Sequence, residues 1–317
     1  MMRLVKLFVV LVFGLALAIP ASAQKTKKKD DKKPVAVAPV KADTAKAKGP
    51  TPPGPKPYRQ VITAKAKTQK GLFTVHKINE DYFLEVADSL LGREFMAVTR
   101  RAKVPAGAGY GGEEENRQVL RWERGPNNKL FLRAVLTVST TFDEEKPISQ
   151  AVSNSNVEPI AAAFDIKSIR KDTSYVINVT DFFKSDNKLV SLSPQRKRSF
   201  SLAAIQADRS YIQSMKSFPI NTEVRMVKTF ASVLPPAGGG ATPAQVRELP
   251  AGANAGVVTV EINTSMILLP KVPARKRLFD PRVGYFANGY TVYGEESQKS
   301  ETEIFAVRWR LEPKAED

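Results

Sequence analysis

The stretch QVLRWE (residues 118–123), RGPNN (124–128) and KLFLRAVLTV (129–138) decides the fold class. Two runs rich in β-branched, aliphatic and aromatic residues flank five turn-forming residues, the signature of a β-hairpin. In the second run Leu130, Leu132, Ala134 and Leu136 share one parity, and Phe131, Arg133 and Val135 the other. Both faces of that strand are therefore partly covered. The same signal recurs outward in both directions. Gly71–Ile78 and Asp81–Val86 flank Asn79-Glu80, a second hairpin, and Glu94–Arg101, Ser174–Val179, Val257–Leu269 and Thr302–Leu311 read as strands. Thr222–Phe230 alternates cleanly, with Val224, Met226 and Lys228 on one face and Glu223, Arg225, Val227 and Thr229 on the other.

Helical signals are fewer and shorter. Asp88–Gly92 reads as one capped turn ended by glycine, Pro147–Asn156 as a short helix, and Thr180-Asp181 as the cap of a Phe182-Phe183 segment. Ala207–Ser217 carries the strongest helix pattern, with Asp208 near its start, Tyr211, Ile212 and Met215 on one face, and Phe218-Pro219 as its stop. Pro159–Ile169 fits strand or helix. The sum predicts a β-rich α+β fold, mainly antiparallel sheets with two or three short helices.

Four segments are expected along the chain. Residues 1–23 read as a signal peptide: Arg3 and Lys6 precede the apolar run Leu7–Ile19, and Ala21-Ser22-Ala23 fits the small-residue cleavage rule. Residues 24–57 read as a disordered Lys/Pro/Ala-rich linker with too little apolar surface to offset the entropy of ordering. Residues 58–104 are expected to form a small N-terminal β module and 105–317 a larger β-rich one. The formal net charge is +17, but ten lysines face three aspartates in 25–57 alone. The remainder is only mildly basic, which argues against a nucleic-acid partner and leaves the linker as a weak contact for an anionic membrane surface.

Most site chemistry is excluded by inventory. There is no cysteine, so disulfides, thiolate ligands and cysteine nucleophiles are absent. One histidine, His76, cannot supply a His-Glu-x-x-His zinc helix, and it lies mid-strand with no Gly-x-Ser-x-Gly elbow in the chain. It reads as a structural or exposed histidine. Pro105–Asn116 reads as a mobile surface loop: it is glycine-rich but lacks the P-loop ending, and Glu113-Glu114-Glu115 would repel phosphate. Arg196-Lys197-Arg198 reads as an exposed turn, and Asp208-Arg209 as a helix cap with a local salt link. No catalytic residue, metal ligand or cofactor site is expected.

One stretch remains. Leu278–Phe286 joins an Asp280-Pro281 turn, a buried-looking set of Phe279, Tyr285 and Phe286, and the pair Asp280/Arg282. The Asp280/Arg282 pair fits either a bidentate structural ion pair or an interface with a further domain, and for the latter Asp280, Arg282 and Tyr285 are the candidate contact residues.

From about Tyr58 onward the chain resembles the N-terminal region of a family of exported bacterial zinc-dependent metalloproteases, whose members carry two uncharacterised modules ahead of a met-zincin catalytic domain. The matching stretches include Gly71–Lys77, Asp88–Phe95, Pro159–Ile166, Gln206–Ile212, Ser217–Asn221, Phe279–Phe286 and Arg308–Lys314. The resemblance implies an exported protein (periplasmic, outer-surface or secreted) that packs against, or assists, a protease domain in cis or trans. Zinc is expected only in that domain, so the chain itself is expected to be non-catalytic. The polar ending Glu312–Asp317 is expected to be a linker cut short. The alternative is a freestanding periplasmic or cell-surface binding module.

Overall fold

The structure, a computed structural model, describes residues 54–136, 139–141, 147–171, 173–233, 250–293 and 300–308. The expected signal segment, nearly all of the linker, residues 234–249 and the ending 309–317 lie outside the described residues.

Fifteen strands and four short α-helices are described, in line with the β-rich α+β expectation. The strands are β1 (Lys67–Gln69), β2 (Thr74–Ile78), β3 (Asp81–Ala87), β4 (Glu94–Lys103), β5 (Glu114–Arg124), β6 (Lys129–Val135), β7 (Ser139–Thr141) and β8 (Ile160–Arg170). They continue with β9 (Ser174–Asn178), β10 (Leu202–Ile205), β11 (Tyr211–Ser217), β12 (Asn221–Ser232), β13 (Val257–Leu268), β14 (Ala287–Tyr293) and β15 (Ser300–Ala306). The helices are α1 (Tyr58–Val61), α2 (Pro147–Ser155), α3 (Thr180–Lys184) and α4 (Pro194–Ser199).

Twelve strands form one antiparallel sheet in the order β1-β2-β3-β9-β8-β6-β5-β4-β13-β12-β10, with β11 also on β12. Strands before and after residue 105 interleave in it: β3 pairs with β9, and β4 lies between β5 and β13. The two hairpins read from sequence are present. Asn79 takes φ 54° between β2 and β3, and Asn127 and Asn128 take φ 53° and 54° between β5 and β6, a left-handed turn conformation that asparagine tolerates.

The sheet curls until its ends meet. The Leu72 N–H donates to the Phe218 carbonyl at 2.6 Å, and Gln69 Nε2 donates to the Ser217 carbonyl at 3.1 Å. Glycine is required at the seam: a Cβ on Gly71 would sit 2.6 Å from the Phe218 nitrogen. Alternate residues point inward, including Leu84, Phe95, Trp122, Leu132, Phe164, Met226 and Ile262, and all are buried. Phe182 and Phe183 of α3 extend the aromatic core through Phe164, with ring centroids 5.3 Å apart for Phe164–Phe182 and 5.6 Å for Trp122–Phe164. A second, three-stranded sheet has the order β15-β14-β7, with β7 parallel to β14.

The expected Ala207–Ser217 helix is not formed. Ala207–Arg209 is a single 3-10 turn and Tyr211–Ser217 is strand β11. A bulge between Ile212 and Ser214 inserts one residue into β11, so Ile212 and Met215 face the core three positions apart. That spacing imitates a helical face. The ambiguous Pro159–Ile169 stretch resolves as strand β8.

Candidate functional site

The connection from β13 to β14 covers residues 269–286 without forming a strand of its own, and a loop this long in a compact fold usually has a job. It is held at its base. Phe279 N–H donates to the Ile304 carbonyl at 2.9 Å, Ala306 N–H to the Arg277 carbonyl at 3.0 Å, and Val307 N–H to the Phe286 carbonyl at 2.7 Å. Leu278 bridges Phe305.

At its centre, Asp280-Pro281 opens a turn closed by the Val283 N–H on the Asp280 carbonyl at 3.0 Å. Arg282 wraps back onto the Asp280 carboxylate. Its backbone N–H and Nε each donate to Oδ1 at 2.9 Å, and Nη2 donates to Oδ2 at 2.5 Å. The Arg282 side chain, with its backbone N–H second, holds the Asp280 carboxyl below the usual carboxylate range. Gly284 follows at φ 72°.

The expected burial of the aromatics is overturned. Phe286 is 87% exposed and Leu278 72%, and Tyr285 and Val283 are exposed beside them; only Phe279 is half-buried. The physical reason is that β14 and β15 form a two-sided ribbon with, among the described residues, no large core to receive them. Tyr290 and Phe305 stack at 5.1 Å, and Lys276 Nζ lies 4.6 Å from the Tyr290 centroid, so one cation covers part of that ribbon. Asp280, Arg282 and Tyr285 thus share one ordered, exposed turn. Its groups can dock a surface: apolar tips at the centre, with the guanidinium and carboxylate fixed in place.

The other singled-out residues are structural. His76 is buried on the outer face of the large sheet, under Tyr58 of α1. Its Nε2 lies 3.1 Å from Glu85 Oε2 and its Nδ1 2.8 Å from Thr68 Oγ1. Glu85 also accepts from Ser174 Oγ at 2.5 Å, Tyr58 Oη at 2.9 Å and Arg170 Nη1 at 3.3 Å. Burial pushes the Glu85 carboxyl up, but the bonds from His76, Ser174, Tyr58 and Arg170 outweigh it and hold it at about 2. Burial, then the bond to Glu85, pushes the Tyr58 hydroxyl up to about 12.

The reading of Glu113–Glu115 as part of a surface loop is also corrected. Strand β5 begins at Glu114, and a bulge opposite Thr99 and Arg100 leaves Glu115 without a direct cross-strand partner. Its side chain is 1% exposed and lies 2.8 Å from Nε of the fully buried Arg101, whose guanidinium also meets Glu113. Arg101 Nη1 donates to the Ala108 carbonyl at 2.6 Å, closing the glycine-rich loop over that end of the core. Arg196-Lys197-Arg198 forms the last turn of helix α4 rather than a free turn. Arg196 Nε is 3.3 Å from Glu115, and Lys197 Nζ is 2.5 Å from Asp186 Oδ1. Asp208-Arg209 keeps its local link at 3.1 Å but caps no α-helix.

Lys228, placed by its alternation with Val224 and Met226, lies inside the curled sheet at 0% exposure and donates to the Ser185 carbonyl at 2.6 Å. Burial brings its amine down to about 7, with Asp186 opposing the shift and Lys197 adding to it. Among the described residues there is no group of three or more His, Asp or Glu side chains that could hold a metal ion, and no helix long and apolar enough to cross a membrane.

Two families match the chain. The one described as Domain of unknown function (DUF5118) matches residues 55–104, and the one described as Domain of unknown function (DUF5117) matches residues 112–314. The interval between them is the loop that Arg101 closes. No curated protein and no solved structure matches.

Proposed function

We propose, for a chain that belongs to the family described as Domain of unknown function (DUF5117), that it is the non-catalytic N-terminal region of an exported, zinc-dependent metalloprotease-like protein. In this reading its role is to pack against a protease domain outside this chain and to help shape or fold it. The ordered series of motifs from Gly71 to Arg308 supports the kinship, and the charged n-region, apolar run and Ala21-Ser22-Ala23 support export. The zinc chemistry belongs to the partner domain.

The observation that carries the contact is the exposed turn. Leu278, Val283, Tyr285 and Phe286 stand out from a loop that is pinned at its base, so little ordering entropy remains to oppose docking. Exposed apolar clusters on an ordered scaffold mark interaction surfaces, with aromatic anchors at their centres.

The test is binding between this chain and a separately produced met-zincin domain, followed by titration calorimetry. The parent is expected to bind. Asp280→Ala with Arg282→Ala and Tyr285→Ala should weaken binding at least about tenfold, with an unchanged unfolding midpoint. Undiminished binding by the triple variant would remove the contact from this turn, and no binding by the parent would remove the reading itself.

A further inference from the structure

The end of the large sheet where its seam closes carries a second exposed surface. The β11–β12 hairpin turns there through Ser217-Phe218-Pro219-Ile220-Asn221, a motif the protease contact does not use. Phe218 and Ile220 are both exposed at its tip. The tip is fixed on two sides: the Phe218 carbonyl accepts from Leu72 N–H at 2.6 Å, and the Ile220 carbonyl accepts from Leu268 N–H at 2.9 Å. Phe218 N–H donates to the Asn221 carbonyl at 2.7 Å, so the turn itself is closed.

The loops around this tip are basic. Lys70 precedes Gly71 at the seam, and Lys271 follows the end of β13. Arg124 closes β5, Lys171 lies in the β8–β9 turn, and all four are exposed. Arg93 sits beside them, with Nη2 on the Leu269 carbonyl at 2.9 Å. Against these stand Asp88, which accepts from Tyr175 Oη at 2.9 Å, and Glu94. An aromatic and a branched aliphatic side chain therefore project at the same end of the sheet as these cations, with Glu223 beside Phe218 as a further acid. A protein partner would usually meet such side chains with a pocket-filling flat or concave face, whereas a bilayer interface accepts a narrow apolar tip. Its anionic head groups also attract surrounding Lys and Arg.

We propose that this end of the sheet docks on an anionic phospholipid surface, with Phe218 and Ile220 seated at the headgroup boundary and Lys70, Arg124, Lys171 and Lys271 facing the phosphates. The proposal is independent of the protease contact, which uses another loop.

Because the chain has no cysteine, a single engineered thiol reports position cleanly. The full chain carrying Ile220→Cys labelled with nitrobenzoxadiazole is titrated with vesicles of phosphatidylcholine and of equimolar phosphatidylcholine and phosphatidylglycerol. A second probe, Tyr110→Cys, stands on the exposed loop after β4, at the opposite end of the sheet. The expected result is a blue shift and brightening at residue 220 with the anionic vesicles, none at residue 110, and reversal by high salt. Phe218→Ser combined with Lys70→Glu and Lys271→Glu should weaken vesicle binding by about tenfold or more. Three results would overturn the proposal. One is vesicle binding with an unshifted probe at 220, which would assign binding to the lysine-rich residues 25–33. The others are an equal response to neutral vesicles, and no vesicle binding at all.

Discussion

The large curled sheet and the small β7–β14–β15 sheet with its loop treat polar and apolar groups in opposite ways. The large sheet buries its apolar residues and also Arg101, Lys228 and Glu85. Two of these three are met by opposite charge, Arg101 by Glu115 and Glu85 by Arg170, while Lys228 meets a backbone carbonyl. The small sheet and its loop keep their charges in water and leave Leu278, Val283, Tyr285 and Phe286 there too. The first region meets these buried charges with partners of its own. The second leaves uncovered the side chains that a partner surface would cover. The same contrast separates where mutations should damage the fold from where they should damage only recognition.

The largest expected effect falls on the fully buried Arg101, which ties Glu115 and the Ala108 carbonyl together. Arg101→Ala would take from Glu115 its fully buried partner, leaving it Arg196 and Ser193, and would leave the Ala108 carbonyl without its donor and release the loop over the core. Removing one partner of a buried ion group costs about 3–5 kcal/mol. Urea unfolding should show a loss of this size, and a loss under about 1 kcal/mol would mean the group is solvated.

Next comes Glu85, through pH. Its carboxyl is held at about 2 in the folded chain, below the ordinary value of 4.5. A depressed carboxyl stabilises the fold above its unfolded value and loses that contribution as pH falls toward the folded value. The parent should therefore weaken between about pH 4.5 and 2 by roughly 3 kcal/mol through this group. Glu85→Gln should flatten that part of the profile and cost stability at neutral pH. Equal acid sensitivity in parent and variant would assign the acid transition to other carboxylates.

Lys228 costs stability where Glu85 supplies it, although its pH slope has the same sign. Its amine sits at about 7 when folded, against 10.5 ordinarily. Between these values the unfolded chain holds the extra proton, so stability should rise as pH rises from about 7 toward 10. Lys228→Met should remove that rise and stabilise the fold near neutral pH by about 1–2 kcal/mol, the gain being limited by the Ser185 carbonyl left without its donor. A destabilised variant with an unchanged pH profile would show that the bond to Ser185 outweighs desolvation.

These groups were legible to different degrees. Strand alternation placed Lys228 correctly with Val224 and Met226, because β12 runs opposite β13 without a register shift. Both early hairpins were legible because asparagine marks the left-handed turn positions. Tyr211–Ser217 was not, since the bulge converts a period of two into a spacing of three. Glu115 was hidden the same way: a bulge turns one of three adjacent glutamates inward, and periodicity cannot say which. His76 and Glu85 share the outer face of the large sheet, which alternation places in solvent. They are buried by α1, whose packing on that face has no signal in their own strands. Tyr285 and Phe286 failed for a further reason: composition marks apolar residues as core, but burial depends on whether the fold has a layer left to cover them.

That last point gives the smallest expected effect. Tyr285→Ser with Phe286→Ser should change unfolding stability by no more than about 0.5 kcal/mol, because Phe286 stays almost wholly in water on folding and Tyr285 stays exposed. Phe95→Ala, a buried ring of the large sheet, should cost about 3–5 kcal/mol in the same assay. If the exposed pair instead cost more than about 1 kcal/mol, the rings would already be covered within this chain, and the turn could not serve as a docking face. A stable double variant that no longer binds the protease domain would separate recognition from folding at those two side chains. The uncovered rings of the small sheet would then be retained for their partner rather than for the fold that carries them.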